Sequence, residues 1–335
     1  MTTQIAYSND FSKHNNSGHP ENAKRLEVLV EEVKHSPIYE KLDFFDPNLV
    51  SEKTLYKLHS EYMIQRIKEI SSSEDEWVDL DTYVCRYDYE TARKAAGGVV
   101  QICHNVISGK ADNGFALIRP PGHHATYERP MGFCLFNNAA LAAYEIAQKG
   151  KSVLIFDCDV HHGNGTQNSF YDRSDVLFQS FHLYPHFPGT GPVDNIGKDK
   201  GEGYTVNAPL CYGNGDKSVS ILFEEIFSPI AQQFKPDLII VSSGYDSHHS
   251  DPLGGLKLTV NFFGKIIEYL QKIQPKIVCT LEGGYSLDWI GKCLLSQLGQ
   301  LTGQAVEFND TVREDINVQP VIKDLKKNLE SFWKL

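Results

Sequence analysis

The sequence has no excess of basic residues. Its 32 Lys and Arg face 43 Asp and Glu, a formal net charge of −11 at pH 7. A surface of that sign repels phosphate backbones, which argues against direct nucleic-acid binding and leaves a basic peptide or an amine as a suitable partner. Paired cysteines are missing as well. Cys85, Cys103, Cys134, Cys158, Cys211, Cys279 and Cys293 are scattered singly, without the C-x-x-C spacing of a zinc ribbon or a dithiol redox motif, and read as buried free thiols. No apolar run reaches the roughly 20 residues that cross a bilayer. The opening stretch "MTTQIAYSNDFSKHNN" has no basic segment followed by an apolar one, so a cytoplasmic location without membrane association is expected. There is no low-complexity tract, fixed-period repeat or Pro/Gly/Ser-rich linker, and residues 1–335 are expected to form one domain.

What does recur is a short apolar, β-branched run, then a loop rich in Gly, Pro, His or Asp, then a helical pattern. "GFALI" leads into "RPPGHHA", "SVLIF" into "DCDVHHGNG", "VLFQSF" into "HLYPHFPGTG", "LIIV" into "SSGYDSHHSDPLGG", and "IVCTL" into "EGGYS". Helical spacing is expected in "ETARKAAGGVVQICHNVIS", "NNAALAAYEIAQ", "KSVSILFEEIFSPIAQQF" and "TVNFFGKIIEYLQKI". Alternating strands and helices imply an α/β fold with a mostly parallel sheet sandwiched by helices. Ligands bind such sheets outside the carboxyl ends of the strands, and each unusual loop sits at such an end.

The densest of these loops is "DCDVHHGNG", residues 157–165. If its strand continues through "DCDVH", alternation places Asp157, Asp159 and His161 on one face. A lone Asp at a strand end usually caps a loop. Three such groups pointing one way at the end of a buried strand are better explained by a cation, because unpaired buried carboxylates are costly. Asp246 in "SSGYDSHHSDP" occupies the equivalent place on another strand. Two carboxylates and one imidazole leave coordination positions open for water and substrate, as in catalytic zinc sites. In "RPPGHHA", His123 and His124 follow a Pro-Pro-Gly turn that can aim both inward, a natural source of general base and general acid. Tyr285 after two glycines reads equally well as a core aromatic or as a phenol donating to an oxyanion.

Together and in order, "HPENAKR", "DTY", "RPPGHHA", "GFCLFNN", "DCDVHHGNGTQ", "FPGTG", "SSGYDSHHSDPLGGL" and "LEGGY" resemble the histone deacetylase superfamily, which includes acetylpolyamine amidohydrolases and has an arginase-like fold of about eight strands. The resemblance implies that Asp159, His161 and Asp246 hold zinc, with Fe²⁺ as an alternative. His123 and His124 match the tandem histidines, Asp157 the carboxylate behind the first, and Tyr285 the residue that polarises the scissile carbonyl. Gly132, Phe133 and Phe187 match the walls of an acyl-lysine tunnel, Leu253 its rim, Asp81 a further substrate-binding residue, and Arg25 a basic residue lining an internal cavity. A structural K⁺ or Na⁺ is implied at Asp157, Asp159, His161, Ser180 and Phe181, and a second at Phe170, Arg173, Val176 and Tyr204.

Two departures matter. Asn164 stands behind the second histidine where the nuclear-type deacetylases have Asp, as in class II-like and many microbial members. Arginase-type relatives hold two manganese ions with Asp-x-His-x-Asp and Asp-x-Asp, but the matching positions here are Asp159, His161, Gly163 and Asp246, His248, so one catalytic metal is expected. The activity implied is zinc-assisted hydrolysis of an acyl amide on a lysine side chain of a protein or peptide. A deacetylase of acetylated polyamines or other small amines is the alternative, and an acyl-lysine-binding pseudoenzyme a third reading. Apolar Leu253 favours the first, since selection for a second cationic amine would favour an acid at the rim.

Overall fold

The computed structural model describes residues 2–312 and 316–335. Among these, the strands in chain order are β1 (Thr3–Ala6), β2 (Leu42–Phe45), β3 (Glu76–Trp77), β4 (Tyr83–Val84), β5 (Asn113–Ala116), β6 (Val153–Asp157), β7 (Val176–Leu183), β8 (Thr205–Leu210), β9 (Leu238–Ser243) and β10 (Ile277–Leu281). β3 and β4 pair as a small antiparallel hairpin. The other eight form one sheet in the order β2-β1-β5-β10-β9-β6-β7-β8, every pair parallel. The central strands β5, β10, β9 and β6 are buried along their whole length. Continuous apolar runs such as "VLIF" and "LIIV" suit this position, because helices cover both faces of a parallel sheet. The helices Asp88–Ile107 and Asn138–Ala147 pack on each other, as do Val260–Gln271, Ile290–Leu301 and Ala23–Lys34. The α/β architecture expected from the sequence is therefore the one observed.

Two local expectations need correction. The strand does not continue through "DCDVH": β6 stops at Asp157. The Asp157 side chain accepts the Asp159 amide at 3.1 Å, and Asp159 Oδ1 accepts the His161 amide at 2.9 Å. Aspartates that bond the backbone two residues on draw the chain into turns, so convergence comes from a folded loop and not from strand alternation. Similarly, the helix expected over residues 217–234 is continuous but not α-helical throughout: Asp216–Leu222 passes through a π-helical stretch at Phe223–Phe227 into Ser228–Phe234. Pro229 has no N–H to return to the preceding turn, and the wide turn stacks Phe223 on Phe156 and on Tyr269, at centroid distances of 5.0 and 4.6 Å.

Candidate active site

The loops after β5, β6, β7, β9 and β10 meet at one rim of the sheet, around a cavity of about 220 Å³. Residues 119–125 after β5 are clamped from several sides. The helix Asn138–Ala147 starts with Asn137 as its cap, whose Oδ1 accepts the Ala140 amide at 2.9 Å. The Asn137 amide nitrogen donates to the His123 and Ala125 carbonyls, and Asn138 donates to that of Pro120. The asparagines of "FNN" thus fasten the turn that presents both histidines.

His123 and His124 are each 3% exposed, their ring centroids 3.9 Å apart. His123 Nδ1 lies 3.0 Å from Asp157 Oδ2, and its Nε2 is 3.8 Å from Asp159. Burial opposes a charge on this ring, but the carboxylates of Asp159 and Asp157 outweigh it and hold the ring's pKa up at about 10. His124 Nδ1 lies 2.8 Å from Asn164 Oδ1. Burial, reinforced by repulsion from His123 and His161, pushes His124 well below the usual histidine value, and a neutral amide offers little to offset this. Two adjacent imidazoles, tilted 43° to each other, are therefore biased toward opposite protonation states.

Beside them, one ligand atom each from Asp159, His161 and Asp246 lie within 4.8 Å of one another. His161 Nδ1 is 3.0 Å from Asp159 Oδ1 and 3.2 Å from Asp246 Oδ2. The remaining oxygens are occupied by backbone donors: Gly283 N–H reaches Asp159 Oδ2 at 2.9 Å, and Val160 N–H reaches Asp246 Oδ1 at 2.8 Å. The buried Asp246 Oδ2 has no well-aligned hydrogen-bond donor among the described residues. Burial, then repulsion from Asp159, raises the Asp246 carboxyl to about 7. A divalent cation relieves this strain, and one imidazole with two carboxylates is a donor set suited to zinc or iron(II). A Cβ on Gly283 would collide with the Asp246 and Asp159 carboxylates, so only glycine lets the backbone approach so closely.

Three further groupings of His, Cys and acid side chains occur among the described residues. In one, Asp310 accepts from Nε2 of both His248 and His249, at 3.1 and 2.9 Å. His248 Nδ1 already accepts the Ser250 amide, which keeps the proton on Nε2, and Asp310 also caps the Val260 amide. That cluster is a fastening between loops, because a ring with its proton on Nε2 cannot ligate through that atom.

The cavity walls include Phe133, Phe187, Gly132, Leu253 and Asp81. Gly132 has φ +55°, and a side chain there would press on the His124 and Phe187 rings. Burial and then Asp79 raise the Asp81 carboxyl. Tyr285 also lines the cavity, edge-on to Phe133 at 5.8 Å. Burial pushes its phenol well above the usual range, against the opposing pull of Arg25, so it is neutral. Arg25 is fully buried behind it, 4.9 Å from the ring, with Nε donating to the Gly284 carbonyl and a terminal nitrogen to that of Glu282. It lies outside the cavity lining. Ser180 pairs with Asp157 in the register of β6 and β7, with Phe181 next to it. In the weaker cation grouping, the Phe170 and Tyr204 carbonyls accept backbone amides from Arg173 and Phe178, and the Arg173 guanidinium is paired with Asp175.

The sequence reading missed several residues that build the site. Asp251 of "DPLGG" accepts the Tyr285, Ser286 and Leu253 amides, tying the loops after β9 and β10 together. His186 lines the cavity and stacks on His161 at 5.0 Å. Both lie inside quoted motifs, but neither has a spacing pattern that signals its partner.

A model of the histone deacetylase domain matches residues 19–301. A probable deacetylase of Archaeoglobus fulgidus is 33% identical over 100% of this chain and 99% of its own length. Histone deacetylase 10, chloroplastic, of Oryza sativa is 36% identical over 89% of this chain and 73% of its own. The crystal structure of the HDA15 HD domain superposes with a TM-score of 0.93 at 32% identity, covering 99% of this chain and 95% of that one. With its all-parallel eight-stranded sheet and the loops gathered at one rim, this chain belongs to the histone deacetylase family and is a hydrolase of that family.

Proposed function

We propose that the protein is a metal-dependent deacylase that hydrolyses the acetyl, or another acyl, amide of a lysine side chain in a protein or peptide, releasing the acid and the free amine. The observation that carries this reading is that His123, His124 and His161 line one aromatic-walled cavity, with the tandem pair His123 and His124 biased toward opposite protonation states and Asp159 and Asp246 buried beside His161. A zinc or iron(II) ion held by that trio supplies Lewis acidity toward the acyl carbonyl and makes water acidic near neutral pH.

The chain's own residues do the rest. His124 donates from Nδ1 to Asn164 Oδ1, which leaves the lone pair on Nε2 to accept the proton of the attacking water and later deliver it to the departing amine. His123, kept charged by the Asp159 and Asp157 carboxylates and hydrogen-bonded to the latter, stabilises negative charge as it develops on the substrate. Tyr285 donates its phenol proton in a hydrogen bond to the oxyanion, and Phe133 and Phe187 enclose the alkyl chain. A K⁺ or Na⁺ near Ser180 and Phe181 completes the proposal as a structural ion. Asp81 at the cavity is the observation that favours a second reading, an acetylated polyamine whose distal ammonium pairs with it.

The test is to assay the purified protein on an acetyl-lysine peptide and on acetylspermidine, before and after chelation. Prolonged chelation should abolish hydrolysis, and about one equivalent of Zn²⁺ should restore it. Peptide turnover at the higher kcat/KM supports the lysine reading, and the reverse order supports the polyamine reading. Inactivity of the zinc-loaded protein on both, or two tightly held transition-metal ions per chain in active protein, overturns the mononuclear deacylase.

A further inference from the structure

Glu282 is a fully buried carboxylate to which the reaction described above gives no task. It follows β10 directly, three residues before Tyr285, and its side chain reaches the loop after β5 and the end of β9. Oε2 accepts the amide of Gly122 at 2.7 Å and that of His123 at 3.1 Å, and Oε1 accepts the Ser242 hydroxyl at 3.2 Å. Its own carbonyl accepts from Arg25 at 2.6 Å. One residue thus joins the loop that carries the tandem histidines to the loop that carries Tyr285, with the end of β9 as a third anchor.

We infer that Glu282 is a positioning residue, whose side-chain oxygen holds the tandem-histidine turn in the geometry that hydrolysis requires. The two amides it accepts have no competing role in a strand or helix. Residue 122 cannot drift the other way, because a Cβ on Gly122 would already collide with the Asn138 amide and the Phe136 carbonyl. Asn137 and Asn138 hold the carbonyls of this turn, and Glu282 holds its amides, so the backbone is fixed from both sides. Charge on Glu282 is not the essential feature. Burial raises its carboxyl to about 7, against the opposing pull of His123, so at neutral pH an acceptor oxygen is present in both protonation states. Small displacements of catalytic groups cost large factors in rate, whereas the aromatic walls that bind the alkyl chain are elsewhere.

The inference rests on the deacylase reading, and two measurements keep their failures apart. In metal-loaded protein, Glu282→Leu should lower kcat on the acetyl-lysine peptide by about 30-fold or more with KM within about twofold, and Glu282→Gln, whose amide oxygen still accepts both N–H groups, should stay within about fivefold of wild type. In metal-free protein without substrate, hydrogen exchange at the Gly122 and His123 amides should speed up by at least about tenfold in Glu282→Leu and stay near wild type in Glu282→Gln. Faster exchange at these amides in a protein that hydrolyses neither substrate sinks the deacylase reading but leaves the fastening of the turn in place. Should Glu282→Leu fail to fold, Glu282→Gln decides alone: wild-type kcat and exchange support the inference. Unchanged kcat in Glu282→Leu, or equal large losses in both variants, overturns it.

Discussion

His123 and His124 differ in what stands behind them, and in the proposed reaction that difference divides their labour. Asp157 accepts from the first ring and Asn164 from the second. Carboxylates hold His123 charged up to about 10, while burial and its charged neighbours keep His124 neutral across the neutral range. Only a neutral ring accepts a proton, so the acid limb of kcat/KM should report protonation of His124, and activity should fall as pH drops through its depressed pKa. The alkaline limb should follow loss of the His123 proton, above the usual histidine range. His124→Ala should therefore cost considerably more turnover than His123→Ala in fully metallated protein; a larger loss in His123→Ala would reverse the roles. Tyr285→Phe removes only a hydroxyl from a neutral phenol, and kcat should fall by roughly 10²–10³ with KM nearly unchanged, the usual cost of one oxyanion donor. Near-normal turnover of that variant removes Tyr285 from the chemistry.

Loops, not strands, set what the site selects, and the loop after β9 shows how. The Leu253 amide donates to Asp251 Oδ1 and its carbonyl accepts from His186, at 2.9 and 3.3 Å, so the backbone is fixed on both sides while the side chain faces the cavity. Leu253→Glu should thus change the lining without moving the loop, and attraction to a distal ammonium should raise kcat/KM for acetylspermidine relative to the acetyl-lysine peptide by about tenfold. An unchanged ratio in folded, active protein shows that this position does not set preference. The same loops explain what could be read from the sequence. β5, β6, β7, β9 and β10 announce themselves as apolar runs ending in Gly, His or Asp, and the elements bearing the site were legible for that reason. β1 and β2 are four-residue strands, β2 lies half-exposed at one edge, and β8 at the other edge contains Pro209, so none carries a strong apolar signature. Ligand types were legible because Asp and His crowd together in sequence. The fastenings were not, since Glu282 to Gly122 and Asp251 to Tyr285 are contacts between separate loops that appear only once the sheet brings the strand ends together.

Across the whole molecule, buried uncharged histidines make the fold sensitive to acid. His59 is 1% exposed; the Asn137 amide donates to its Nε2 at 3.0 Å, and its Nδ1 donates to the Thr126 carbonyl at 2.9 Å. With both nitrogens committed, a second proton on Nε2 would face an N–H and break the bond to Asn137, whose side chain holds the tandem-histidine turn. Burial, against only a weak opposing pull from the Thr126 carbonyl, lowers this ring to about 4. His182 is also fully buried and lowered to about 4 by burial, with Ser180 and the Gly191 carbonyl as its partners. Between about pH 6.5 and 4 the unfolded chain binds protons at these positions that the folded chain does not. Stability therefore rises with pH through that window and is lost as pH falls, by on the order of 1–3 kcal/mol for each ring. His59→Gln removes one titrating group but leaves an amide able to donate and accept. Its thermal midpoint should be lower than wild type at pH 7.5 yet fall less steeply between pH 6.5 and 4.5, measured by circular dichroism on metal-free protein. Parallel pH curves for the two proteins would show that His59 takes up its proton at the same pH in the folded and unfolded chains, and acid sensitivity would then have to arise elsewhere.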